Sequence, residues 1–374
     1  MATSPTSTRK NPAALRLVTR AMIHTFFRRV DVDGLERLPA TGPVITVANH
    51  ANGLVDGLLL MSQLPRWPRF LAKATLFRIV PLAPLLRAAG VIPVHRAADA
   101  EGGSAAANAD DRAARNDSAF ATCRALLVAG DMVSIFPEGI SHDLNALQPL
   151  RTGAARIALG AAFDDGAAGL VIVPIGLAYD AKATFRSHAI VTIGDPIEVA
   201  EWADAYRADP RAAVRACTAQ MTAGLNAVSP DDVTVSAPAA VTRRLRFAAT
   251  VRAARSARLA RTDPVLLAIA PVALAGAALH AVPYQIIKRA AMLPRKESIK
   301  STVKLLGCTA LFLVEWIGLG AYALRRRGLR AAALTLVGCP LSGYVAVRFA
   351  ERLRDSSVIQ SRSEPLQLGG DIAG

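Results

Sequence analysis

A chain of 374 residues can hold one enzyme-sized core, of up to ~250 residues, plus a smaller second region. Its hydrophobic fraction of 52%, with the excess after about position 264, excludes a disordered chain and points to membrane association at the C-terminal end. The formal charge of +15 calls for an anionic surface or substrate. At 5% aromatic content, the stacking platforms of a single-strand nucleic-acid binder are scarce, so anionic membrane lipid is the expected partner and nucleic acid is not.

The first residues are polar and no apolar run with a small-residue cleavage site follows them, so the catalytic part is expected to face the cytoplasm from an inner membrane. Residues 1–30 read as a polar tail and an amphipathic helix. The helix is the stretch Leu15 to Phe27, with Arg16, Arg20, Arg28 and Arg29 beside it, and it suits a membrane surface or the core.

The β-branched run VITVA, Val44 to Ala48, predicts a buried strand. Further strands are expected at Arg69 to Ala72, Val91 to Val94, Met132 to Phe136, Leu170 to Ile175 and Ile190 to Ile193. Helical patterns fall between them at Leu58 to Gln63, Phe77 to Ala89, Ser118 to Ala129 and Gly153 to Ala162. The alternation predicts an α/β domain over residues 31–230, a mixed, largely parallel sheet flanked by helices. Ala97 to Arg115 is rich in Ala, Asp and Gly without an apolar period and reads as a mobile loop.

Residues 241–354 read as a basic amphipathic helix and an apolar helical membrane region. The helix carries arginines at 243, 244, 246, 252, 255, 258 and 261. Three apolar runs follow, Pro264 to Pro283, Leu305 to Leu324 and Ala331 to Phe349, each near the roughly 20 residues that cross a hydrocarbon core. Each has a defect: Pro271, Glu315 and Pro340. Every flank is basic, which conflicts with simple alternating spans and favours re-entrant or in-plane segments. The alternative is a set of buried helices in a soluble domain. The tail from Asp355 onward is polar and reads as disordered. Cys123, Cys217, Cys308 and Cys339 lack paired metal-site spacing and read as buried small hydrophobes.

Chemistry concentrates in VANHANGLVDGLLL, Val47 to Leu60, where a strand runs into Asn49 and His50, then a turn-prone Asn52-Gly53, then Asp56 and an apolar helix. A histidine leaving a strand with a carboxylate a turn later suits a general base and its orienter. In isolation such a pair also fits a structural loop histidine. Three more segments follow in order: GVIPVHR (Gly90 to Arg96), FPEGISH (Phe136 to His142) and IVPIG (Ile172 to Gly176).

Together these resemble the four blocks of the glycerolipid acyltransferase superfamily, the PlsC-like glycerol-3-phosphate and lysophosphatidate acyltransferases. The resemblance covers about residues 30 to 200. It implies His50 as general base, Asp56 as its partner, Arg96, Glu138 and Gly139 at the acceptor site, and Pro174 in the fourth block. Arg96 offers a rigid fork suited to phosphate oxygens, and the turn at Pro137 to Gly139 exposes backbone N–H groups suited to an anion. The chain places five residues between His50 and Asp56, one more than the commonest pattern, and the third block runs on as Ser141, His142 and Asp143. Both departures resemble the subgroup of fungal glycerol-3-phosphate and dihydroxyacetone-phosphate acyltransferases. That likeness adds Ser141, and Arg151 as a second phosphate candidate.

The implied reaction, a step in phospholipid synthesis, transfers an acyl group from acyl-CoA or acyl carrier protein to a hydroxyl of glycerol-3-phosphate or 1-acylglycerol-3-phosphate, with no cofactor and no metal. A serine hydrolase lacks its Gly-x-Ser-x-Gly elbow here, and neither a P-loop nor a dinucleotide fingerprint occurs. Another lipid acceptor, or a non-catalytic lipid-binding protein of the same architecture, remains as an alternative reading.

Overall fold

The run VITVA forms the strand β2 (Val44–Ala48), whose five residues are all buried, at the middle of a sheet. The computed structural model describes residues 13–79, 82–95, 107–144, 146–229 and 264–363. Two compact units are present: residues 1–239 with 296–302, and residues 240–295 with 303–374.

In the first unit, β2 is flanked by β5 (Met132–Ile135) and β6 (Val171–Tyr179), and both pair with it in parallel. Beyond β5 lie β3 (Arg69–Lys73) and β4 (Ile92–Val94), also parallel. Beyond β6 the direction reverses: β7 (Ser187–Ile193) and the short β8 (Ile197–Glu198) run antiparallel to it, and β1 (Phe27–Asp33) closes the edge parallel to β7. The order β1-β7-β6-β2-β5-β3-β4 is the mixed, largely parallel sheet the alternation predicted.

Strands β2, β5 and β6 are buried almost throughout, which explains their continuous apolar runs. The central polar exception satisfies itself: Thr46 and Ser134, register partners, share a hydrogen bond of 2.5 Å between their hydroxyls. Helices α2 (Leu54–Gln63), α3 (Ala83–Ala88), α4 (Ala107–Val128), α5 (Gly153–Leu159), α6 (Ala203–Ala208) and α7 (Pro210–Val228) complete the α/β layers. Helix α7 starts at a Pro in its first turn, and the Asp209 carboxylate accepts the N–H groups of Arg211 and Ala212.

Helix α1 (Ala13–Phe26) packs in this unit, with Ile23 and Phe26 buried and the Arg16 and Arg20 guanidiniums donating to the carbonyls of Pro65 and Ser62. Its Leu17 and Val18 stay exposed.

Several expectations need correction. The segment from Ala107 to Arg115, expected as loop, is the start of α4; alanine is the strongest helix former, and such a helix needs no apolar stripe to register. Phe77 to Ala89 divides between a 3-10 turn (Ala74–Arg78) and α3, which begins with Pro84 in its first turn. Strand β1 was not anticipated because FRRVDVD carries charge at most positions and lies at the sheet edge.

The second unit is helical. Helix α8 (Pro264–Leu279) breaks at His280 into α9 (Ala281–Ala290), with a bend of 59° between residues 268–279 and 281–290. Helices α10 (Glu297–Arg327) and α11 (Leu329–Ser363) follow; residues 297–327 and 329–352 are long and apolar enough to cross a membrane. The first run is a bent pair, a broken span or a re-entrant segment by its geometry, whereas the second and third are continuous helices. Leu274, Val282, Val314, Ile317, Leu334 and Val337 point outward, a surface a solvated bundle would bury. Helix α11 also runs to Ser363, past the disordered tail expected from Asp355. The basic helix expected at 241–261 lies outside the described residues.

Within this unit the defect Glu315 has a structural setting. The Glu315 carboxylate meets His280 Nδ1 at 2.5 Å, and His280 Nε2 faces the Cys339 carbonyl at 3.0 Å. Gly276 allows close approach of α8 and α11, since a Cβ there would lie 2.3 Å from the Ser342 carbonyl oxygen.

Candidate active site

His50 follows the C-terminal end of β2, where parallel strands of an α/β sheet deliver functional groups. The chain turns through Asn52 and Gly53, the latter at φ 58°, and enters α2, which carries Asp56 in its first turn. The expected placement, histidine in the loop and carboxylate at the helix start, is what the structure shows. His50 Nδ1 lies 3.0 Å from Asp56 Oδ2. A carboxylate accepts only, so Nδ1 is the donor in this hydrogen bond. Nε2 has no hydrogen-bond partner among the described residues.

Asp56 is fully buried, and its oxygens are held on three sides. Besides His50, Oδ2 accepts the Asn52 N–H at 2.7 Å and Oδ1 accepts the Tyr179 hydroxyl at 2.5 Å. Burial, with the neighbouring Asp56 charge, pushes the Tyr179 phenol well above the usual tyrosine range. The His50 ring stacks on Phe136 at 4.1 Å between centroids, and Phe136 stacks in turn on Phe70.

The third block meets this pair through Glu138. Its buried carboxylate accepts the His50 N–H at 2.7 Å through Oε1, while Oε2 accepts the Gln148 N–H at 2.8 Å and contacts His142 Nε2. Glu138 thus ties the histidine loop to the loop after β5, and its oxygens are taken up in doing so.

Gly139 stands at φ 73°, with its own N–H donated to the Phe136 carbonyl. That N–H is therefore committed to the turn. The Arg151 side chain lies across the Gly139 Cα: a Cβ there would be 2.6 Å from Arg151 Nε. Arg151 is exposed, and its N–H donates to the Pro137 carbonyl at 2.8 Å. Ser141 sits in the same loop, half-buried. Arg96 lies outside the described residues; His95, which precedes it, is clasped through both its N–H and its carbonyl by the Asn116 side chain.

Pro174 sits in the middle of β6, where a missing N–H would ordinarily break the ladder. Its carbonyl accepts the Gly194 N–H, so its N side faces the same edge, at the gap where pairing passes from β7 to β8. The ring packs on α7 beside Gly224, where a Cβ would come within 2.7 Å.

Four contributors were not picked out as site residues. Asn49 clamps β2 to β6 by exchanging hydrogen bonds with the Leu177 backbone at 3.0 and 2.7 Å. Asn52 donates its side-chain amide to the Lys182 carbonyl. Tyr179 and His142 complete the set. Asn49 and Asn52 lay within the quoted motif, and a polar aromatic ending a strand otherwise apolar was the available signal for Tyr179. Residues 296–302 also belong to this unit: Asp143 accepts the N–H groups of Glu297 and Ser298, and Ser301 donates to the Lys182 carbonyl.

A buried carboxylate aims a histidine at the end of a parallel sheet, with an arginine laid over a glycine turn nearby, and residues 29–178, which hold all of these, match the Acyltransferase family model. Among curated relatives, an uncharacterised acyltransferase of Schizosaccharomyces pombe is 29% identical over 51% of this chain and 39% of its own length. Glycerol-3-phosphate O-acyltransferase 2 of Saccharomyces cerevisiae is 39% identical over 26% of this chain and 13% of its own. Glycerol-3-phosphate O-acyltransferase 1 of the same yeast is 44% identical over 20% and 10%. The chain thus spans 10 to 39% of the length of these relatives. The crystal structure of the 1-acyl-sn-glycerophosphate (LPA) acyltransferase PlsC from Thermotoga maritima aligns over 59% of this chain and 85% of that one, at 17% identity and a TM-score of 0.38.

Proposed function

We propose that this protein transfers a fatty acyl group from a thioester, acyl-CoA or acyl carrier protein, to a hydroxyl of glycerol-3-phosphate or 1-acylglycerol-3-phosphate. The observation that carries the reading is the His50–Asp56 pair, with Nδ1 held by a buried carboxylate and Nε2 left without a hydrogen-bond partner among the described residues. Nε2 takes the proton of the acceptor hydroxyl, and its oxygen attacks the thioester carbonyl. The C–S bond then breaks, and the imidazolium returns the proton to the leaving thiolate. Asp56 fixes the ring and stabilises the imidazolium formed on the way.

Arg151, Gly139 and Ser141, with Arg96, are the proposed phosphate-binding group: an exposed guanidinium laid along a glycine turn presents its donors to an anion. Glu138 is better placed to act through His50 than on the acceptor, since its carboxylate is buried and engaged. The likeness to two yeast glycerol-3-phosphate O-acyltransferases over the motif region supports glycerol-3-phosphate as acceptor. The apolar helices of residues 297–327 and 329–352 support a membrane enzyme, where the acyl chain can partition into lipid.

The test is acyl transfer by the detergent-purified full chain from long-chain acyl-CoA and from acyl carrier protein to each labelled acceptor. One acceptor should be acylated, and His50→Ala should lower the rate by roughly 10²–10⁴, the range of a lost general base. Failure of both acceptors with both donors removes the glycerol-phosphate assignment and directs the search to other lyso-lipids.

A further inference from the structure

The Asp56 carboxylate is the hub of the site, yet only one of its oxygens faces the histidine. The other is taken by Tyr179, a residue that comes from the far end of β6 and from outside every motif block. We propose that Tyr179 is the positioning residue of the His50–Asp56 pair: its hydroxyl holds Oδ1, so that the carboxylate cannot rotate and Oδ2 stays aimed at His50 Nδ1.

The geometry constrains each group in turn. Asp56 has no exposure to solvent, so no water competes for Oδ1. The phenol is held in place by packing, its ring stacked on Phe27 at 5.7 Å between centroids with an interplanar angle of 26°, and Phe27 is itself fully buried and edge-on to Phe26. Two aromatic layers therefore fix where the hydroxyl points. Because burial and Asp56 push its pKa well up, the phenol remains a donor across the working range and cannot serve as a base. Among the described residues it makes no hydrogen bond or ring contact with His50, which leaves it the task of orienting the carboxylate. Glu138 does the complementary work on the backbone, accepting the His50 N–H. Ring and main chain of His50 are thus held from separate elements, β6 and the loop after β5.

The inference rests on the acyl-transfer reading, and one measurement is chosen to be independent of it. In Tyr179→Phe, the ring and its packing remain while Oδ1 loses its donor. The expected result is a kcat reduced about tenfold, as for one lost hydrogen bond to a buried carboxylate, with KM for the acceptor unchanged within about twofold. The nitrogen resonances of the His50 ring, followed in 15N-histidine-labelled protein in detergent at a single pH, should also shift. Phe27→Leu loosens the stack without removing the hydroxyl and should lower thermal stability while leaving those resonances in place. Unchanged His50 resonances in Tyr179→Phe, whatever happens to kcat, overturn the proposal, as does an equal shift in Phe27→Leu. If the wild type acylates no glycerol-phosphate acceptor but the resonances move only in Tyr179→Phe, the positioning role stands and the functional reading alone has failed.

Discussion

The Asp143 carboxylate accepts the backbone N–H of Glu297 at 3.0 Å, joining residues 154 positions apart. It caps the helix that begins there and also pairs with Lys182 at 3.3 Å. Burial alone pushes this carboxyl up, but the N–H groups of Glu297 and Ser298 and the Lys182 ammonium outweigh it and hold it below the usual carboxylate range. A carboxyl depressed in the folded state stabilises the fold above its ordinary range, and that contribution is lost as pH falls through the depressed value. Asp143→Ala should therefore raise amide exchange over residues 297–302 at neutral pH. The wild type should reach that state only in acid. Equal protection of the two proteins at neutral pH would show that Asp143 does not anchor the segment.

Gly139 and Arg151 make a paired prediction. Gly139→Ala adds a left-handed backbone penalty of about 1–2 kcal/mol and drives a methyl into the Arg151 side chain, so it should lose both stability and acceptor affinity. Arg151→Ala leaves the turn intact and should raise KM for the phosphate acceptor about tenfold with little change in kcat. Thermal melts beside steady-state kinetics separate the two. A normal KM in Arg151→Ala takes that residue out of the phosphate site.

Cys123 and Cys217 are fully buried, and burial pushes each thiol up to about 12. Since the thiolate is the reactive form, both should stay unmodified by maleimide near pH 7.5 in folded protein and react once it is denatured. Peptide mapping by mass spectrometry reads this directly; rapid labelling of either in the folded protein contradicts the packing.

The His280–Glu315 pair sits where the first apolar run breaks. Replacing Glu315 with Leu leaves a buried imidazole nitrogen without its partner, a cost of about 1–3 kcal/mol. Exchanging both residues for apolar ones should cost less than the sum of the single changes. Unfolding of the detergent-solubilised protein across the double-mutant cycle measures the coupling, and additivity would mean the two side chains act separately.

How much of this was readable beforehand follows sequence distance. His50 and Asp56 lie six positions apart, so a strand, a turn signal and a helix start sufficed to put them together. The sheet's buried core was equally legible from β-branched runs such as VITVA. Tyr179 was not, because its contact with Asp56 spans 123 positions and no local pattern encodes which strand lies beside β2. Glu138 was legible as a member of the site but not in its direction: only the packed loops show that its oxygens meet His50, His142 and Gln148. The same holds for residues 296–302, which sequence order assigns to the apolar region and contacts assign to the first unit.

The clamp between Asn49 and Leu177 bears on when the His50–Asp56 arrangement is completed during synthesis. His50 and Asp56 are made only six positions apart, and their loop can close quickly. The partners that align them, Leu177 and Tyr179, emerge from the ribosome more than 120 residues later. A nascent chain halted before β6 therefore holds His50 and Asp56 without the groups that align them, and the pair is fully held only once the sheet has admitted its parallel neighbour.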